Sequence, residues 1–168
     1  QKEKGPAPAR KRGRPGFAAA AAGAVYGMNR LVFFLSTMKD LLTSKEKSYY
    51  NWRFGDIYYA RKGEGRPVLL LHQLSASGSD CEWQSMIDEL AEDHTVYTID
   101  LPGCGRSQKE KMVYTNYLYV QLLSDFIKSE IGHRTDIIAS GSSAALGIMA
   151  CSNSPELFNQ LLFINPES

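Results

Sequence analysis

Thr95-Val-Tyr-Thr-Ile-Asp-Leu-Pro-Gly-Cys-Gly-Arg-Ser107 opens as an apolar, β-branched run and closes as a tight loop of the form D-x-P-G-x-G-x-S. The run from Thr95 to Asp100 reads as a buried strand, and the loop glycines permit a sharp turn after it. Upstream, Val68 to His72 is a short continuous apolar run, which marks a strand covered on both faces of a parallel sheet. Between the two, Trp83, Met86, Ile87, Leu90 and Ala91 recur at helical spacing, with Ser79 and Glu82 placed as a capping box. Downstream, Tyr119, Leu122, Leu123, Phe126 and Ile127 repeat that spacing within a helix from about Thr115 to Ile131. Asp136 to Ser140 returns to strand, Ser143 to Cys151 to helix and Leu161 to Ile164 to strand. Tyr50 to Phe54 and Asp56 to Lys62 read as two further strands joined near Gly55. Strand and helix alternating three times predicts a doubly wound, mostly parallel α/β sheet.

The 168 residues suffice for one domain with a hydrophobic core. With 43% apolar and 22% charged residues, the composition excludes a disordered chain, a collagen and a polytopic membrane protein. The formal charge of +1 hides a split: residues 1–14 carry six Lys and Arg against Glu3, leaving 13 bases and 17 acids elsewhere. Residues 1–15 form a basic tail too poor in apolar area to order itself. Residues 16–45 form an expected apolar helix, and its 16–38 stretch is long enough to span a bilayer although Arg30 interrupts it. Three readings fit this stretch: a membrane anchor, a helix packed on the domain, and a targeting segment. Membrane association through 16–38 is the expectation, with a cytoplasmic location as the alternative. The RGRP stretch at Arg12–Pro15 resembles an AT-hook, but a basic flank explains the same residues and no nucleic acid is expected. Cys81, Cys104 and Cys151 are odd in number and far apart, which argues against a disulfide framework or a zinc site and fits a reducing compartment.

In a sheet of this kind ligands bind beyond the carboxyl ends of the strands, where His72-Gln73, Asp100 with its loop and Ser140–Ser143 are expected. The D-x-P-G-x-G-x-S loop resembles that of the α/β-hydrolase superfamily, with Asp100 expected to accept N–H bonds from its own loop. Gly141-Ser142-Ser143-Ala144-Ala145 resembles the nucleophile elbow G-x-S-x-G with alanine in the final place. Reading Ser143 as the nucleophile keeps Gly141 at the first small position, whereas Ser142 would put Ser140 and Ala144 at the two small positions. His72-Gln73-Leu74 resembles the family's His-Gly-x, with Gln73 departing from it and His72 expected to be structural. The resemblance implies that the N–H groups of Leu74 and Ala144 stabilise an oxyanion.

The resemblance covers roughly Tyr49 to Ser168 and supplies strands one to six, so residues 46–168 are expected to be a partial domain, truncated after about the sixth strand. A triad would need a His, and His94 and His133 both fall before strands, at the wrong end of the sheet. Glu167 stands where a minority of the family places the acid. The expectation is the amino-terminal portion of a serine hydrolase acting on a small-molecule ester or amide, inactive as this chain. The alternative is a non-catalytic binding or scaffold module, which Gln73, Ala145 and Ser140 favour. Neither reading calls for a cofactor or a metal, and a dinucleotide site is excluded because G-x-G-x-x-G is not present.

Overall fold

A computed structural model of the chain describes residues 46–166. The basic tail, the apolar 16–45 segment and Glu167 lie outside the described residues. Six strands, β1 (Glu46–Trp52), β2 (Gly55–Lys62), β3 (Arg66–Leu71), β4 (His94–Ile99), β5 (Thr135–Ser140) and β6 (Phe158–Ile164), form one sheet in the order β1-β2-β4-β3-β5-β6. β3, β4, β5 and β6 run parallel, while β2 is antiparallel to both β1 and β4. Three helices, α1 (Gln84–Leu90), α2 (Asn116–Phe126) and α3 (Ser143–Asn153), fill the crossovers. The doubly wound, mostly parallel sheet expected from the sequence is the one observed.

Alternating side chains divide the core into two layers, because successive residues of a strand point to opposite faces. Val68, Leu70, Val96 and Ile138 meet Trp83 and Ile87 from the α1 side. Leu69, Leu71, Tyr97, Ile99, Ile137 and Ala139 meet Leu118, Leu122, Leu123 and Phe126 of α2 and Leu146 of α3, with Trp52 at the margin. All four residues from Val68 to Leu71 are buried, as a strand sandwiched between helical layers requires.

Two local expectations are corrected. Ser79 and Glu82 form no capping box: Ser79 makes no side-chain cap bond, and Asp80–Trp83 winds as a tighter 3-10 turn before α1. The Glu82 carboxylate instead accepts the Gln73 N–H at 2.9 Å. The neighbouring Asp80 is buried and paired with Arg106. The outer strands are also longer or shifted: β1 starts at Glu46 and stops at Trp52, and β6 starts at Phe158. Pairing of β1 with β2 continues out to Glu46 opposite Arg61, which hydrophobic patterning alone does not show. Thr115 caps α2, its hydroxyl accepting the Leu118 N–H at 3.3 Å.

Two tyrosines give the layer on the α2 side a pH limit. The Tyr59 hydroxyl donates to Glu130 at 2.6 Å, and burial, then the Glu130 bond and charge, push it up to about 12. Tyr119 is likewise pushed up to about 12, first by burial and then by neighbouring Cys104. In the unfolded chain both titrate near 10, so the native state favours the protonated forms. Their contribution is complete below about pH 10 and is lost as pH rises toward about 12. Urea unfolding midpoints should hold steady up to pH 10 and then fall, and Tyr59→Phe should shallow that fall. An identical alkaline slope in Tyr59→Phe would exclude Tyr59 as its source.

Candidate functional site

The carboxyl ends of β3, β4 and β5 bring the three expected loops to one end of the sheet, so the site is built from His72–Leu74, Asp100–Ser107 and Gly141–Ala145. His72 is fully buried. Its Nε2 accepts the Leu101 N–H at 3.0 Å and its Nδ1 lies 2.8 Å from the Gln73 carbonyl. That pair of contacts requires the Nδ1–H tautomer, with Nδ1 donating to Gln73. The ring therefore ties the β3 loop to the β4 loop, the structural part expected of it. His94 opens β4 and His133 precedes β5, so both lie at the opposite end of the sheet.

The β4 loop is closed by charge. Asp100 is wholly buried and accepts the Arg106 N–H at 2.8 Å and the Asp80 N–H at 2.7 Å. The Arg106 guanidinium contacts Asp100 at 3.2 Å, pairs with Asp80 and lies 3.7 Å over the Tyr58 ring. Ser107 accepts the Tyr58 N–H at 2.9 Å and donates to the Asp100 carbonyl at 2.5 Å, pinning the end of the loop to β2. Gly105, at φ +45°, is required here because a β-carbon would stand 2.2 Å from the Asp100 carboxylate. Asp100 thus accepts loop N–H groups as expected. Asp80 and Arg106 were not singled out from the sequence, and only their spacing around a buried aspartate would have signalled them. Cys104, in the same loop, is buried, and burial followed by the Asp100 charge pushes its thiol upward.

The turn from β5 into α3 differs from the sequence reading by its register. β5 ends at Ser140 and α3 begins at Ser143. Between them only Gly141 has a positive φ, +54°, so the sharp point of the turn falls on Gly141. Ser143 is the first residue of the helix and is fully buried, and its hydroxyl donates to the His72 carbonyl at 2.6 Å. Its side chain staples α3 to the end of β3. Ser142, one position earlier, is half-buried.

The two residues expected to donate to an oxyanion, Leu74 and Ala144, lie in the loop after β3 and in α3. The Ala144 N–H donates to the Gly141 carbonyl at 3.2 Å, closing the first turn of the helix. Leu74 is half-buried in the β3 loop. Gln73 lies against the turn: a β-carbon built on Gly141 would stand 2.8 Å from Gln73 Cγ and 2.9 Å from Cδ. The Gly141 N–H donates to the Ile164 carbonyl at 3.0 Å, which ties the turn to the end of β6. Among the described residues no group of His, Cys, Asp and Glu is placed to hold a metal ion, and no helix is long and apolar enough to cross a membrane.

This topology and these loops define the alpha/beta hydrolase fold, whose family model matches residues 66–136. The chain has that fold and spans part of it. It is 28% identical over 130 residues to a 2-hydroxy-6-oxo-6-(2'-aminophenyl)hexa-2,4-dienoic acid hydrolase of Metapseudomonas resinovorans, covering 73% of this chain and 45% of the relative. A crystal structure of a serine hydrolase involved in carbazole degradation superposes with a TM-score of 0.70 at 26% identity, covering 74% of this chain and 49% of the other. The crystal structure of a Bacillus subtilis protein superposes with a TM-score of 0.71 at 18% identity, covering 81% of this chain and 50% of the other. The chain therefore spans about half the length of the relatives it matches.

Proposed function

We propose that this chain is an alpha/beta hydrolase-fold module that works by binding and does not use a serine at its elbow. The observation that carries this reading is Gly141 at the only positive-φ position of the β5–α3 turn. A nucleophile must stand on that point to project above the sheet. Glycine offers no attacking atom there. Ser143 is buried, and its hydroxyl donates a hydrogen bond to the His72 main-chain carbonyl, which engages that proton away from any base. The Ala144 N–H is committed to the helix, which removes one of the donors an oxyanion would need.

A second reading, a serine hydrolase acting on an ester or amide carbonyl, draws support from the two hydrolases above 25% identity and from the half-buried Ser142 beside the point of the turn. A fluorophosphonate probe separates the two. The native protein, purified from its source, should show no labelling of Ser142 or Ser143 by peptide mapping. Turnover of p-nitrophenyl acetate should be equal in wild type, Ser142→Ala and Ser143→Ala. Labelling abolished by either substitution would replace the binding reading with the hydrolase.

A further inference from the structure

We infer that Gln73 and Gly141 are one reciprocal packing unit, in which the Gln73 side chain takes the space over the turn that a side chain at position 141 would fill. The inference rests on the reading that Gly141 occupies the elbow point. Its geometric ground is the set of close approaches already given, 2.8 Å to Cγ and 2.9 Å to Cδ, together with 3.2 Å to Nε2. These are contacts along the length of the side chain, not only at its tip, so relieving them requires a different χ1 for Gln73. Gln73 is not free to choose its backbone path. Its N–H is held by Glu82 at 2.9 Å and its carbonyl by His72 Nδ1 at 2.8 Å, so the side chain departs from a fixed root directed at the turn.

The consequence concerns what a ligand meets. Position 141 carries no side chain, and the Gln73 side chain from the neighbouring loop takes up the space above it. The Gln73 side chain, half-buried, covers the point of the turn, so a ligand approaching it meets that side chain before the Gly141 backbone. Changing either residue alone leaves a void or a collision, so the two positions should depend on one another energetically.

Thermal unfolding of the full chain tests this as a double-mutant cycle. Gly141→Ser should lower the midpoint by about 5–10 °C, from left-handed backbone strain together with displacement of Gln73. Gln73→Gly alone should have a smaller effect. The double variant should melt at least about 3 °C above the value that adding the two losses would give. Gly78→Ala is the control: its β-carbon would stand 2.4 Å from the Gln73 carbonyl and 2.7 Å from His72 Nδ1, groups that Gln73→Gly leaves in place. Gln73→Gly should not rescue it. If Gly141→Ser does not fold, Gly141→Ala serves in its place, and recovery of folding in the double variant supports the unit. Additive losses, equal rescue of Gly78→Ala, or no recovery with either residue at 141 would overturn it. Coupling accompanied by fluorophosphonate labelling would remove the binding reading alone, whereas additivity without labelling would remove this inference alone.

Discussion

Arg106→Ala is expected to destabilise the domain by about 3–5 kcal/mol, the range for stripping one partner from a buried ionic contact. The side chains of Asp80 and Asp100 are 2% and 0% exposed, and Arg106 is 17% exposed, so the two carboxylates would be left facing one another with little water to screen them. The loss of the guanidinium over Tyr58 adds to this, since that stacking is desolvated. With a urea slope of about 1–3 kcal/mol per molar, the midpoint should fall by roughly 2 M. Arg106→Lys keeps the charge but not the fork that reaches both acids, and should fall in between. A shift under about 0.5 M for Arg106→Ala, half of the smallest expected effect, would mean that the carboxylates relax into solvent and the loop is held by its backbone bonds.

His72→Ala should cost about 3–4 kcal/mol, from the cavity it opens and from the Leu101 N–H it leaves without a buried acceptor. The effect should be local in origin. Hydrogen exchange at the Leu101 amide should lose its protection before neighbouring amides of β4 do, because His72 Nε2 is the acceptor of that bond. Exchange at Leu101 that stays as slow as at Ile99 would show that another group replaces the ring. Such a result would reduce His72 to a space-filling residue and weaken its assignment as the tie between the two loops.

The sequence carried the fold because the layers depend on periodicity. Val68–Leu71 is apolar without interruption and α2 repeats its apolar residues at helical spacing, and these patterns are set by burial on two faces. Asp100 was legible for a different reason, since a carboxylate that opens D-x-P-G-x-G-x-S has few places to put its charge except against loop N–H groups. The point of the β5–α3 turn was not legible because Ser140-Gly-Ser-Ser-Ala-Ala supplies small residues in every register. Pattern matching weighs residue type, while the turn is decided by where β5 stops. Once Ser140 is paired with Ile164 as the last ladder residue, the next residue must reverse the chain, and glycine takes the positive φ most readily. The capping box failed similarly, since Glu82 has a partner distant in sequence, Gln73, that competes with the local bond. Side chains such as Arg106 and Asp80 were invisible because their partnership exists only after β4 and the turn before α1 have been brought together.

The chain has two tryptophans, and the sheet separates them. Trp52 is 4% exposed on the α2 side, where its Nε1 donates to Asp125 at 2.9 Å, and Trp83 is 3% exposed on the α1 side. Each layer therefore carries its own intrinsic fluorophore. In Trp83→Phe the emission follows the melting of one layer, and in Trp52→Phe that of the other. Coincident transitions would mark the sheet and both helical layers as a single cooperative unit, while separated ones would divide the domain along the plane of its strands.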